Sequence, residues 1–162
     1  MEEMHVLKKQ PNSLDCFVCG TQNPCGLHLT FYSSGPGQVT ADYTVPEQFQ
    51  GYPGVVHGGI VAAMLDEVAG RSHMEGDPPR FMYTARLELR YRRNVPVGQP
   101  LRLVGQAGKS KGRTAAAAAM IYDQGGTLLA EAEALLVDIP TEVIDAADLP
   151  ALGWKVYPDE ES

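Results

Sequence analysis

Several things are scarce or missing in this 162-residue chain, and each absence removes a class of protein. No apolar run approaches membrane-spanning length, and the first residues, MEEMHVLKKQPNS, lack the apolar core of a signal peptide. A cytoplasmic protein without a membrane partner is therefore expected. Basic residues are few, 13 against 20 acidic, for a net charge of −7. A general nucleic-acid binder needs a broadly basic domain, so that class is set aside. Cysteines number only three, and no C-x-x-C opens a helix in a thioredoxin-like pattern, which removes dithiol redox chemistry of that type. There is no internal repeat and no low-complexity segment.

What remains is the profile of one globular domain. The apolar fraction of 44% supports a real core, and 20% charged residues is ordinary. The charge is unevenly placed. Nine of the basic residues lie between Arg80 and Arg113, opposed there only by Glu88, so that stretch carries +8 and the remainder −15. Such a region suits a small phosphorylated ligand or a subunit contact, or simply the charged outer faces of strands.

The chain is organised around residues 54–73. A Pro53-Gly54 turn leads through Val55 and Val56 to His57-Gly58-Gly59. From there Ile60, Val61, Met64, Leu65, Val68 and Ala69 recur in pairs four apart, the spacing of one buried helix face. Gly59, Ala62, Asp66 and Gly70 form a small-residue strip beside it. Glycines at a helix start leave open amide donors at the positive end of the helix dipole, suited to an anion or a polarised carbonyl. Asp66 is a mid-helix carboxylate, costly to bury without a partner. Both features also have a plain explanation, close packing for the glycines and a solvated Asp66.

On either side the chain reads as strands. Leu27–Tyr32 and Val39–Val45 form a hairpin about a turn at Ser33–Gly37. Met82–Arg93 alternates strictly, with Ala85, Leu87, Leu89 and Tyr91 on one side and Thr84, Arg86, Glu88, Arg90 and Arg92 on the other. A strand starts at Leu101. Arg113–Tyr122 and Leu128–Asp138 have helix-forming composition, yet Asp123-Gln124-Gly125-Gly126 separates them at hairpin distance, and both are read as strands. Six strands and one long helix predict an α+β domain, an antiparallel sheet wrapped along the helix. Residues 1–13 are expected to be flexible, 14–138 to form the domain, and 139–162 to be a tail with a short turn at Asp145–Leu149, anchored by Trp154 and Tyr157. Cys16, Cys19, Cys25 and His28 have a spacing that can hold zinc. The reading adopted is three reduced cysteines in a turn-rich segment, with no metal.

Phe49-Gln50-Gly51-Tyr52-Pro53-Gly54-Val55-Val56-His57-Gly58-Gly59, followed by Asp66, resembles the hotdog-fold acyl-CoA thioesterases of the phenylacetate-pathway (PaaI-like) type. Thr84-Ala85-Arg86-Leu87, Tyr91–Gly98 and the segment Cys16–Gly20 with Asn23-Pro24 and Gly26-Leu27 extend the likeness over residues 14–138. The resemblance implies a homodimer, with pairing into a homotetramer open, whose sites lie at the subunit interface. It implies hydrolysis of an acyl-CoA thioester by water without a cofactor, coenzyme A being part of the substrate. Gly58, with Gly59 as second candidate, would donate to the thioester carbonyl; Asp66 would be base or nucleophile; His57 would position the thioester; Thr84 would hold the water. Relatives often carry Asn or Gln where this chain has Gly51, and Gln50 is the nearest substitute. Arg92, Arg93, Lys109 and Lys111 are candidates for the coenzyme A phosphates. Two other functions fit the residues: a hotdog dehydratase or hydratase with His57 as base, and a non-catalytic acyl-CoA-binding module.

Overall fold

The computed structural model describes residues 6–159. It contains a seven-stranded antiparallel sheet and one long helix, α1, Gly58–Arg71. In chain order the strands are β1 (Lys8–Lys9), β2 (Tyr32–Gly35), β3 (Gln38–Thr44), β4 (Met82–Tyr91), β5 (Pro100–Lys111), β6 (Thr114–Tyr122) and β7 (Leu128–Asp138). Across the sheet they run β1-β2-β3-β5-β6-β7-β4, so β4 forms one edge. A six-residue helix, α2, Thr141–Ala146, follows β7, slightly earlier than the turn expected from sequence.

The helix lies on one face of the sheet as its periodicity dictates. Val61, Met64, Leu65, Val68 and Ala69 are buried, and they meet Leu101, Leu103, Ile121 and Leu136 from the strands. The alanine-rich segments are indeed strands. Ala115, Ala117 and Ala119 of β6 and Ala130, Ala132 and Ala134 of β7 point inward and are buried, short side chains where a helix runs close above a sheet.

Closest approach occurs at Gly105 of β5. A Cβ there would stand 2.1 Å from the Val68 carbonyl oxygen and 2.8 Å from its carbon. Backbone meets backbone, so no rotamer change can relieve the contact. Gly105→Ala is expected to destabilise the fold by at least about 3 kcal/mol, the upper range for overpacking, read as a lower urea midpoint.

Three expectations need correction. Leu27–Phe31 is extended but is not a strand, and the sheet begins at Tyr32. Two of its amides are taken by the preceding turn: Leu27 N–H donates to Phe17 O and Leu29 N–H to Val18 O. His28 adopts a φ of 60°, which breaks the extended run, and Ser33–Gly35, expected as turn, belong to β2. Second, the leading segment is held from Lys8 onward. Lys8 and Lys9 supply the seventh strand, Gln10 and Asn12 are buried, and Asn12 bridges to Lys155. Of the rest of the expected flexible stretch, Val6 and Leu7 are exposed and residues 1–5 lie outside the described residues. Third, β4 does not alternate strictly. Thr84 pairs with Leu136 and Arg86 with Leu135, which leaves Ala85 as a bulge. The phase shifts there, so Met82, Thr84, Leu87, Leu89 and Tyr91 share the helix side.

Trp154 anchors the tail, packing edge-on against Phe81 with ring centroids 5.5 Å apart. Tyr157 bonds within the tail, to Gly153 O.

Candidate active site along the long helix

The mouth of α1 is built by His57. It is the N-cap, with φ −55° and ψ 135°, and its Nδ1 accepts the Gly59 N–H at 2.9 Å. An accepting Nδ1 carries no proton, so the neutral ring has its proton on Nε2 and offers a donor outward. This bond also distinguishes the two glycine amides. Gly59's amide is occupied, whereas the Gly58 N–H has no partner among the described residues. The Gly58 carbonyl is fixed from β4, accepting the Tyr91 hydroxyl at 2.8 Å. The free amide opens on a groove of about 480 Å³ lined by Gly51, Tyr52, Val56, His57, Tyr91 and Arg93. Replacing His57 with Ala removes the cap and should cost about 1 kcal/mol in chemical denaturation, most of it restored by His57→Asn.

Asp66 lies two turns further along. Its Oδ1 accepts the Thr84 hydroxyl at 2.6 Å, leaving Oδ2 open for a water. The Ala85 bulge makes this contact possible by turning Thr84 toward the helix. A small cavity of about 130 Å³ adjoins Asp66, bounded by Glu67, Arg80, Met82 and Thr84.

Eight residues of helix separate Gly58 from Asp66, about 12 Å at 1.5 Å per residue. One chain cannot bring its own amide and carboxylate to the same carbonyl group. Between them runs β4, an edge strand whose outer hydrogen-bonding side has no neighbour among the described residues.

The other expected contacts divide. Gln50 Oε1 accepts the Gly54 N–H at 3.2 Å, closing its own loop. Arg93 lines the groove at the helix mouth, and Arg92 pairs with Glu131 at 3.1 Å. Lys109 and Lys111 lie at the far end of β5. Register carries that end to Val137 of β7, whereas Tyr91, beside Arg92, pairs with Ala130. The two pairs of basic residues are thus about 23 Å apart along the strands.

Sequence reasoning missed Arg71. It is 1% exposed, with Nε on Glu67 Oε1 at 3.0 Å, Nη1 on Pro11 O at 2.8 Å, and its guanidinium 4.5 Å from the Phe31 ring centre. It ties the leading segment to the C-terminal end of α1, where a cation is favoured. A Glu and an Arg four apart on one helix was the available signal.

The four residues suggested for zinc do not converge. Cys25 is exposed and the His28 ring bonds to Asn23 O. Cys16 and Cys19 instead meet Glu67. The Cys16 thiol donates toward Cys19, which with burial pushes Cys16 up; the same bond, aided by Arg71, holds Cys19 below the usual thiol range. Burial raises Glu67, with Arg71 opposing.

Comparison with known proteins bears on this arrangement. A thioesterase superfamily family model matches residues 53–130. A thioesterase superfamily protein of known crystal structure is 32% identical with a TM-score of 0.70; the match covers 76% of this chain and 60% of that one, so the chain spans less than two thirds of that relative. The PaaI protein of the phenylacetic acid degradation operon of E. coli is 17% identical, TM-score 0.64, covering 70% and 81% of the two chains. A Streptococcus mutans protein solved with acetyl-CoA is 18% identical, TM-score 0.62, covering 68% and 88%. No curated protein matches the sequence. No helix among the described residues is long and apolar enough to cross a membrane. The matched segment contains the His57–Gly59 mouth, Asp66 and Thr84, the fold around it is the hotdog, and over residues 53–130 the chain matches the thioesterase superfamily.

Proposed function

We propose that the protein hydrolyses acyl-CoA thioesters as a homodimer in which each site joins Gly58 of one subunit to Asp66 of the partner subunit. The observation that carries this is the separation of a free helix-mouth amide from a hydroxyl-oriented carboxylate by two helical turns, with an open edge strand beside both. Two-fold antiparallel pairing of β4 with its copy sets the mouth of one helix beside the carboxylate of the other. The same pairing covers ten residues of exposed strand edge, otherwise an aggregation hazard. It also brings the Arg93 end of one subunit toward the Lys109 and Lys111 end of the other, joining the basic residues that a single chain holds apart. Coenzyme A, with its phosphates and thin arm, fits such a basic rim, and a fold relative has been solved with acetyl-CoA.

The chemistry then runs on the protein's own groups. The Gly58 N–H, with the helix dipole behind it, donates to the thioester carbonyl oxygen. Asp66 takes a proton from water through Oδ2, while Thr84 holds Oδ1. The water oxygen bonds to the carbonyl carbon, and negative charge collects on the oxygen facing Gly58. The C–S bond breaks, and the coenzyme A thiolate leaves and takes up the proton. His57 orients the thioester through its Nε2–H.

A thiol-release assay over short, long and aromatic acyl-CoAs tests this reading, with sedimentation of the same sample. Turnover by a dimer is expected. Tight acyl-CoA binding without thiol release would instead support a binding module, the role that Gly51 in place of an amide side chain favours. Water addition to an enoyl-CoA without thiol release would support a hydratase.

A further inference from the structure

The segment before Leu27 has a feature that thioester hydrolysis leaves unused. Cys16 and Cys19 lie on a tight turn closed by the Gly20 N–H on Cys16 O at 2.8 Å. A Cβ on Gly20 would stand 2.3 Å from that oxygen and 2.6 Å from Cys16 N, so only glycine permits the turn. Both sulfurs face α1, where Glu67 meets them. One donor atom from each of the three residues lies within 4.8 Å of the others, and Cys19 is 2% exposed. Arg71 uses one oxygen of Glu67, Oε1, and the carboxylate has a second to give.

We propose that Cys16, Cys19 and Glu67 bind a zinc ion. Two thiolates and a carboxylate form a donor set for a borderline-soft cation rather than for calcium or magnesium. Charge leads to the same ion. Ionised, the three donors carry −3, Arg71 returns +1, and a divalent cation brings the half-buried cluster to neutrality. Distance allows it, since tetrahedral zinc needs sulfurs about 3.8 Å apart and all three donor atoms already lie within 4.8 Å of one another. Zinc enters as Zn²⁺ and displaces the thiol protons, with no change of oxidation state. Three protein donors leave the fourth position to water. The ion ties the leading segment to the helical turn that carries Asp66. It is a brace for that turn and takes no part in thioester cleavage.

The test uses the full chain, reduced, stripped with a chelator and reloaded with zinc or cobalt(II) alone. One zinc per chain is expected, with thiolate-to-cobalt absorption in the near ultraviolet. The thermal midpoint should rise by roughly 5–10 °C at a hundredfold excess of zinc over its Kd. Cys16→Ser and Cys19→Ser should each weaken zinc binding at least about 100-fold, Glu67→Gln about tenfold, and Cys25→Ser not at all. If the serine variants fail to fold, the cobalt spectrum of the unmutated chain decides, because absence of the thiolate band overturns the site. Substoichiometric zinc in the reduced chain, loss of zinc on Cys25→Ser, or recovery only of a metal-free Cys16–Cys19 disulfide would also overturn it.

Discussion

Asp66→Asn is expected to lower kcat for acyl-CoA hydrolysis about 10²-fold or more while leaving KM nearly unchanged. The substitution keeps the side chain's shape. Its amide oxygen still accepts the Thr84 hydroxyl, which now sits 2.6 Å from Oδ1. What disappears is the oxygen able to take a proton from water or to attack the carbonyl. The fold should be unaffected, since Asp66 contributes nothing to the buried stripe of α1. Activity within tenfold of the original would mean that another group is the base.

Gly58→Pro is expected to cost as much from the first turn of the helix, about 10²–10³-fold in kcat, the loss seen when one oxyanion donor is removed. Gly58 is the first helical residue, where proline is well accepted, and His57 already has the extended φ and ψ that a following proline demands. The variant should therefore fold normally and lack only one N–H. Gly58→Ala retains that N–H, and its Cβ would meet Tyr91 Oη at an ordinary 3.5 Å, so it should lose far less. The two inactive variants also test the shared site. Mixed and allowed to exchange subunits, Asp66→Asn and Gly58→Pro chains form heterodimers with one intact site, and about a quarter of the original activity should return. No recovery from exchanged subunits would place both groups in one chain.

Much of this arrangement was legible beforehand, and the parts that were not have physical reasons. The helix could be read because a buried stripe at Val61, Met64, Leu65 and Val68 has no other periodicity. β6 and β7 could be read against their helix-forming composition because two glycines stood at hairpin distance. Thr84 shows the opposite case. Alternation placed it on the side away from Leu87 and Leu89, and only the Ala85 bulge, invisible in side-chain pattern, returns it to Asp66. The choice between Gly58 and Gly59 depended on which amide the His57 ring would take, a matter of one side-chain torsion. Leu27–Phe31 alternates like a strand because one side of it is buried. The Leu27 and Leu29 amides, however, donate to Phe17 and Val18 rather than to a sheet neighbour, and pattern alone cannot tell the two apart.

Through Thr84, β4 grips the carboxylate, and through Tyr91 it grips the first turn of α1. One strand therefore works as a measuring rod, with its marks seven residues apart and matched to two turns of helix. A slip of a single residue along β7 would pull both marks off at once. Insertions and deletions within that rod should be far less tolerable than changes of side chain on its outer face.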